Sequence, residues 1–418
     1  MKITHQSDPR SLRIAILGST YPRSEQDHEV PWLRESVRRL AARGHKVTVI
    51  ASGYRGLKDH EIDGVPVRRF RYAPSRWEML THGEGAPNKL KKNPVLKLLT
   101  LTYVVSGAWA AWTVCRRERI DILHVHWPFP HGLMALLPAW LLGSKVVSTC
   151  HSAELALAAG NKISSKLLEF CLRRSVVITA NSAHTAKMIR DVSQREAEII
   201  PWGATVKVDS SIDPVAQEVP LLLFSGRLIE RKGVNFLIRA MPLILKERKV
   251  RLVITGDGHY RKEWEDLTQQ LGLSDSVTFV GFVSNTELAS LFRSCTVYVH
   301  PAIYDSKGDT EGQGVVLVEA LSNSKPVVAS AVGGIVDMII DGETGLLVPE
   351  KNPEAIARAV LRLLNEPEFA RRLGEQGFAH AREYFNWDHI MNQYEAVYRR
   401  CVDSSSQRPL EGIEPVTT

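Results

Sequence analysis

At 418 residues the chain is too long for a single hydrophobic core and predicts two domains. Its composition, 44% hydrophobic and 24% charged, excludes a largely disordered or fibrous protein. The net charge of +7 is concentrated before about residue 205, which points the first half at an anionic partner or substrate, although solvated helix faces account for such an excess equally well.

Apolar strands alternate with amphipathic helices almost throughout, the order expected of parallel sheets covered by helices on both faces. In the first half the spacing predicts strands at 13–19, 46–52, 66–72, 121–127, 145–151, 175–181 and 197–203. A helix at 30–44 joins the first two strands, with apolar residues three and four apart and Gly44 as its stop signal. Residues 98–115 carry no charge and approach the length of a membrane span. Thr100, Thr102, Ser106 and Gly107 interrupt that run and a strand follows at once, so it reads as a buried or membrane-surface helix. The polar stretch 206–220 reads as a linker. Strands resume at 221–227, 250–258, 276–282, 295–301, 325–331 and 344–350, with helices at 233–248, 260–272, 285–294, 314–323, 333–341 and 353–365. The expected organisation is therefore an N-terminal Rossmann-like domain over 1–205, a second over 221–385, and loose ends at roughly the first ten residues and at 403–418. In such sheets ligands bind beyond the carboxyl ends of the strands, so a cleft between the domains is the expected site.

Five scattered cysteines without a CxxC pair point to a reducing compartment rather than a disulfide framework or zinc site. The N-terminus has no apolar segment followed by a small-residue cleavage site, so no signal peptide is expected and a cytoplasmic setting is.

Three constellations could carry chemistry. In SGRLIERKG (225–233), Arg227 and Lys232 bracket a strand-to-helix turn between Gly226 and Gly233. Cations at a helix N-terminus favour a diphosphate, though a solvated basic turn beside Glu230 fits the same residues. In EGQGVVLVEALS (311–322), Glu311 and Glu319 flank the start of an apolar helix behind Gly312 and Gly314. Both carboxylates could accept hydrogen bonds from sugar hydroxyls in one pocket, or Glu311 could cap the helix while Glu319 faces solvent. In STCHSAEL (148–155), His151 follows a strand where a ligand would lie, a place a structural histidine also occupies. His124 and His126 lack a third ligand at metal-binding spacing, and no Asp-x-Asp pair exists to hold a divalent ion on a diphosphate; no metal is expected. There is no G-x-G-x-x-G fingerprint after the first strand, no Walker loop, no nucleophile elbow and no aromatic–basic ladder, so nucleic acid is not an expected partner.

With these residues in view the chain resembles glycosyltransferase family 4, retaining enzymes of the GT-B fold, from about residue 13 to about 400. SGRLIERKG, VITGDGHYRKEWEDL, VTFVGFVSNTEL, EGQGVVLVEAL, KPVVASAVGGIVDMI and GETGLLVPEKNPEAIA carry the likeness, with ARGHKVTVI, DILHVHW and ITANSAHTAKMI in the first half. The resemblance implies two Rossmann-like domains facing across a cleft, with a last helix (386–402) returning to the first domain. It implies that Arg227 and Lys232 hold the diphosphate of a UDP- or GDP-linked sugar and that Glu319 takes the ribose. Glu311, Gly312, Gln313 and Gly314 would meet the transferred sugar, Phe282 and Val283 would flank the base, and His151 would stand at the reaction centre. Catalysis would need neither metal nor cofactor, because the cations and helix dipoles stabilise the departing nucleotide. The acceptor would be a glycan or a lipid-linked molecule, in cell-surface polysaccharide or glycolipid synthesis. The basic first half and the 98–115 helix add an anionic membrane surface as a candidate partner. Departures are the turn STYPRSEQDHEV, which lacks the family's paired glycines after the first strand, Gln313 in place of a more usual Phe, the insertion-like IYDSKGDT (303–310), and Asp337 in place of Glu. Two alternatives keep the fold: a nucleotide-sugar epimerase or phosphorylase, and a non-enzymatic nucleotide-sugar-binding subunit. The intact Arg227, Lys232, Glu311 and Glu319 favour the transferase.

Overall fold

The computed structural model describes residues 11–27, 29–82, 98–206 and 218–403. The expected linker at 206–220 lies outside the described residues except at its edges, as do the two ends expected to be loose.

Two sheets organise the chain. The first contains β1 (Arg13–Gly18), β2 (Lys46–Ser52), β3 (His60–Ile62), β4 (Val65–Phe70), β5 (Ile122–His126), β6 (Lys145–Cys150), β7 (Val177–Ala180) and β8 (Glu198–Ile199), in the order β3-β4-β2-β1-β5-β6-β7-β8. β1 runs parallel to β2 and β5, and the short β3 pairs antiparallel with β4. The second sheet contains β9 (Leu221–Ser225), β10 (Arg251–Thr255), β11 (Val277–Gly281), β12 (Val297–His300), β13 (Val327–Ser330) and β14 (Leu346–Val348), in the order β11-β10-β9-β12-β13-β14 with parallel pairing. The described helices are α1 (Pro31–Ala42), α2 (Leu98–Glu118), α3 (Pro128–Leu142), α4 (Ala153–Ala159), α5 (Lys162–Arg174), α6 (Ala183–Ser193), α7 (Val234–Leu245), α8 (Arg261–Gln270), α9 (Asn285–Ser294), α10 (Val315–Ser322), α11 (Pro353–Asn365), α12 (Pro367–Tyr384) and α13 (Trp387–Asp403). This is the parallel α/β arrangement that the alternating pattern predicts: the central strands are near-continuous apolar runs because helices cover both faces.

Two of the elements expected from the sequence take another form. The strand expected at 197–203 shrinks to β8, because the Trp202 amide and carbonyl bond to the Gln313 side chain (2.8 and 2.7 Å) instead of a neighbouring strand. The helix expected at 333–341 is a 3-10 turn at Gly333–Asp337. Gly333 there adopts φ 54°, and the Gly334 amide donates to the Glu311 carbonyl at 2.9 Å, so the segment is pinned to the Glu311 loop rather than free to wind.

The chain divides into two compact units, one of residues 1–149, 168–178 and 391–418, the other of 150–167 and 179–390. The division is interleaved, with 150–167 and 179–205 packing alongside the residues of the second sheet.

In the first unit α2 lies on the sheet through Tyr103, Gly107, Ala111, Val114 and Cys115. A Cβ on Gly107 would collide with Met134, so glycine sets the close approach of α2 and α3. The turn after β1 is fixed without paired glycines: the buried Arg69 guanidinium donates to the carbonyls of Tyr21 (2.9 Å) and Pro22 (2.6 Å). His124 bonds through both ring nitrogens, to Tyr398 of α13 at 2.7 Å and to Thr149 at 2.6 Å, which leaves neither for a metal, and burial pushes its pKa down to about 3.

In the second unit Leu222, Phe224, Leu252 and Ile254 meet Leu237, Ile238 and Met241 of α7 and Ile356 and Val360 of α11. Burial of each such side chain contributes roughly 1.5–3 kcal/mol. Ser284 and Glu287 form a reciprocal capping box that starts α9.

Candidate active site

The residues given roles in the site lie in the second unit: Arg227, Phe282 and Glu311 follow β9, β11 and β12, His151 follows β6 of the first sheet, and Glu319 is on α10. β9 ends at Ser225, and the chain turns through a 3-10 helix at Glu230–Lys232. This turn is stitched to the segment after β12: the Ile303 amide donates to the Arg231 carbonyl (2.9 Å), and Ser306 donates to Glu230 through its amide and hydroxyl (both 2.9 Å). Glu230 is thus engaged by the 303–310 segment rather than neutralising the neighbouring cations in solvent.

The turn directs two cations inward. Lys232 is buried and its ammonium bonds to Glu311 Oε2, while Arg231 Nη1 pairs with Glu311 Oε1 at 3.1 Å and donates to the Thr310 carbonyl at 3.3 Å. His300, at the end of β12, brings Nε2 to 3.2 Å from Glu311 Oε2 and Nδ1 to 3.1 Å from the Tyr298 hydroxyl. Burial lowers the His300 pKa; its Nε2 faces Glu311 and its Nδ1 faces the Tyr298 hydroxyl, which donates its own proton to the Ser225 carbonyl at 3.2 Å. Burial alone would raise the Glu311 pKa, but Lys232 and Arg231 outweigh it and hold the carboxyl well below its ordinary range. Lys232 is shifted down to about 8, by burial first and by the charges of Arg231 and Arg227 against the opposing pull of Glu311. Arg227 itself is exposed at the mouth of the turn.

The loop after Glu311 joins this cluster to His151. A Cβ on Gly312 would stand 2.6 Å from Ser152 Oγ and 2.7 Å from the His151 carbonyl, so only glycine fits between the two loops. Ser152 is buried at φ 78°, a conformation that costs a non-glycine residue on the order of 1–3 kcal/mol and that clusters at functional sites. The His151 ring lies nearly parallel to Trp202, centroids 6.0 Å apart and planes 9° apart. Trp202 is in turn fixed by the two-point hold of the Gln313 side chain, which orients the Gln313 side chain inward. Asp337 accepts from the Ala183 amide at 2.6 Å, at the start of α6.

Glu319 is buried on α10, and its Oε1 accepts from the Thr205 hydroxyl (2.8 Å) and from the amides of Thr205 and Val206 (3.3 Å each). It faces inward rather than to solvent, but its partners differ from those of Glu311. Both carboxylates nonetheless act on the Tyr298 hydroxyl, whose pKa burial raises and their charges raise further. Phe282 stands 78% exposed just beyond β11, with Val283 half-buried beside it, so an aromatic face is open at this edge of the sheet.

The sequence reading did not single out Arg231, His300, Gly334 or Glu154. His300 closes the apolar run VYVH, the strand-end position that had drawn attention to His151, and the same rule would have found it. Glu154 accepts from the His151 amide at 2.8 Å through Oε1, while Oε2 is buried without a hydrogen-bond partner among the described residues. Burial pushes this carboxyl up to about 7, against the hydrogen bond from His151. A carboxyl whose folded pKa exceeds its unfolded value contributes stability below the unfolded pKa of 4.5 and loses it as pH rises through about 7. Glu154→Gln is therefore expected to match the wild type at pH 5 and to exceed it by roughly 1–3 kcal/mol at pH 8. Urea denaturation at both pH values checks this; a variant less stable at pH 8 would contradict it.

The family profile described as Glycosyltransferase Family 4 matches residues 32–207, and that described as Glycosyl transferases group 1 matches residues 209–380. An uncharacterised glycosyltransferase of Methanocaldococcus jannaschii is 30% identical over 381 residues, covering 86% of this chain and 91% of that protein. The N-acetyl-alpha-D-glucosaminyl L-malate synthase of Bacillus anthracis is 25% identical over the same shares of the two chains. Among solved structures, sucrose-phosphate synthase of Thermosynechococcus elongatus superposes with a TM-score of 0.77 at 23% identity, over 94% of this chain and all of that one. Anabaena HepE, solved in complex with UDP and glucose, superposes with a TM-score of 0.69 at 17% identity, over 93% and 100%.

Proposed function

Because this chain belongs to glycosyltransferase family 4, has the GT-B fold and is thereby a glycosyltransferase, we propose that it is a retaining, metal-independent enzyme that moves a sugar from a UDP- or GDP-linked donor to a glycan or lipid-linked acceptor. The pathway we assign is cell-surface polysaccharide or glycolipid synthesis, carried out in the cytoplasm at the inner face of the cell membrane. The observation that carries the reading is the buried Glu311 carboxylate bound by Lys232 and Arg231, on a loop that Gly312 joins to His151.

Glu311 compensates the buried Lys232 and the partly buried Arg231. A nucleoside diphosphate entering beside Lys232 and Arg227 would supply the negative charge instead, and Glu311 would turn its oxygens to hydroxyls of the transferred sugar. Lys232 has three N–H donors in a water-poor place, where they act strongly on the charge that builds on the leaving phosphate. That local positive charge replaces a bridging divalent ion in this proposal, and the lack of an Asp-x-Asp pair agrees with it. Glu319 would take the ribose, Phe282 and Val283 the base, and Gly312, Gln313 and Gly314 the sugar through their backbone. His151, braced on Trp202, would line the reaction centre. HepE's UDP and glucose supply the precedent for a uridine-linked hexose.

Incubation with a panel of UDP- and GDP-sugars tests the reading by thermal shift and slow donor hydrolysis. One donor class should stabilise the protein and release its sugar with the donor's anomeric configuration, unchanged by EDTA. Inverted product, or loss of turnover in EDTA, overturns the corresponding half; donor interconversion without release points to an epimerase, and no response to any donor to a binding subunit. Since kcat/KM reports ionisations of the free enzyme, it should fall as pH rises through about 8, where Lys232 gives up its proton.

A further inference from the structure

An ordinary surface helix turns an apolar stripe inward and polar residues outward. α2 does not. Its inner face packs on the sheet, and the opposite face is apolar as well: Leu98, Leu101, Val105 and Trp109 are 77%, 71%, 61% and 63% exposed. Their spacing of three and four residues aligns them in one row, which Trp112 continues toward Arg116. The Trp109 and Trp112 rings stand 4.9 Å apart, and the Arg116 guanidinium lies 5.3 Å from the Trp112 ring centre. The end of α3, which packs on α2, adds Trp140 at 81% exposure, followed by the exposed Leu141 and Leu142.

Where these rows end, a surface cavity of about 370 Å³ opens, lined by Arg13, Arg116, Arg119 and Lys145, with Asp121 and Leu142 also on its wall. Arg13 and Asp121 form a bidentate pair (3.0 and 2.6 Å) and cancel. Glu118, the acid nearest in sequence, turns to Thr48 on β2 (2.6 Å) and does not line the cavity. Arg116, Arg119 and Lys145 therefore leave it positive. Exposed tryptophans and aliphatic side chains beside a cationic hollow suit an acyl-chain boundary lying against anionic headgroups.

We propose that the first unit docks on an anionic lipid bilayer through the outward face of α2 and the end of α3, with a lipid phosphate seated among Arg116, Arg119 and Lys145. This assigns a surface and a lipid chemistry to the membrane setting in the reading above, and rests on that reading only for its biological place. Vesicle binding is measured without donor, so failure of either proposal leaves the other standing.

The test is flotation of the full chain with phosphatidylcholine vesicles, with or without about one third phosphatidylglycerol. The protein should float with the anionic vesicles and partition at least about tenfold less onto neutral ones. Leu101→Glu/Trp109→Glu and Arg116→Glu/Arg119→Glu should each cut anionic-vesicle binding by about tenfold or more. These side chains are exposed, and an unchanged far-UV circular dichroism spectrum and unfolding midpoint without donor certify that each variant is folded. A protein that stays at the bottom of the gradient, floats equally on neutral vesicles, or floats undiminished in both variants overturns the proposal. So does a lipid-free dimer that Leu101→Glu/Trp109→Glu dissociates, since a second copy would then cover this face.

Discussion

Replacing Lys232 with alanine is expected to lower kcat by about a hundred- to a thousandfold, the size of effect seen when one preorganised donor is removed from a developing negative charge. Lys232 is buried, so water does not readily replace it, and the exposed Arg227 is poorly placed to take over its role. The fold should survive with a loss of roughly 1–3 kcal/mol, because Arg231 and His300 still satisfy Glu311. A purely structural role for Lys232 makes a different forecast. Lys232→Met keeps the volume and leaves Glu311 held by Arg231 and His300, so if it kept wild-type turnover, Lys232 would be no more than a counter-charge. Single-turnover donor cleavage, measured beside chemical denaturation of the same preparations, separates the two outcomes. Lys232→Arg should restore little, since Arg231 already holds Glu311 from one side and a guanidinium is bulkier than the ammonium it replaces.

Much of the architecture was open to reading because parallel strands buried on both faces leave unbroken apolar runs, as in Ile14–Leu17 and Leu221–Phe224. β3 escaped because three residues are too few to show alternation. The turn at Gly333–Asp337 and the shortened β8 were misread for a shared reason: each is set by a partner distant in sequence, the Glu311 carbonyl for Gly334 and the Gln313 side chain for Trp202. Local pattern carries no information about such bonds. The site was legible as motifs but not as pairings. The spacing of SGRLIERKG offers three cations, and only the direction of the 3-10 turn decides that Arg231 and Lys232 face Glu311 while Arg227 stays exposed. Glu154 stands in STCHSAEL without a signal of its own, and its shifted carboxyl follows from burial that no local pattern reveals. The uncharged run at 98–115 could not disclose that one face of its helix packs on the sheet while the opposite apolar face is left exposed among the described residues.

Glu311→Ala should lose turnover as completely as Lys232→Ala and lose more stability, about 3–5 kcal/mol at pH 7, because it leaves the buried Lys232 without its counter-ion and Arg231 with only Asp309 at 3.7 Å, where the lysine variant strands no charge. The deficit should also depend on pH in a definite direction. With Glu311 gone, the interaction that raised the Lys232 pKa disappears, while burial and Arg231 continue to lower it, so the value falls below the wild-type figure of about 8. A lysine whose folded pKa lies below its unfolded one costs stability that grows as pH drops beneath the unfolded pKa, then levels off beneath the folded pKa. The variant reaches that plateau at lower pH than the wild type, so its gap to the wild type should be about 1 kcal/mol narrower at pH 9 than at pH 7. Arg231 stays charged at both pH values and keeps the gap from closing. A gap that widens toward pH 9, or a variant as stable as wild type at pH 7, would mean that Glu311 is not the counter-ion of these cations, and the diphosphate site built on them would fall with it.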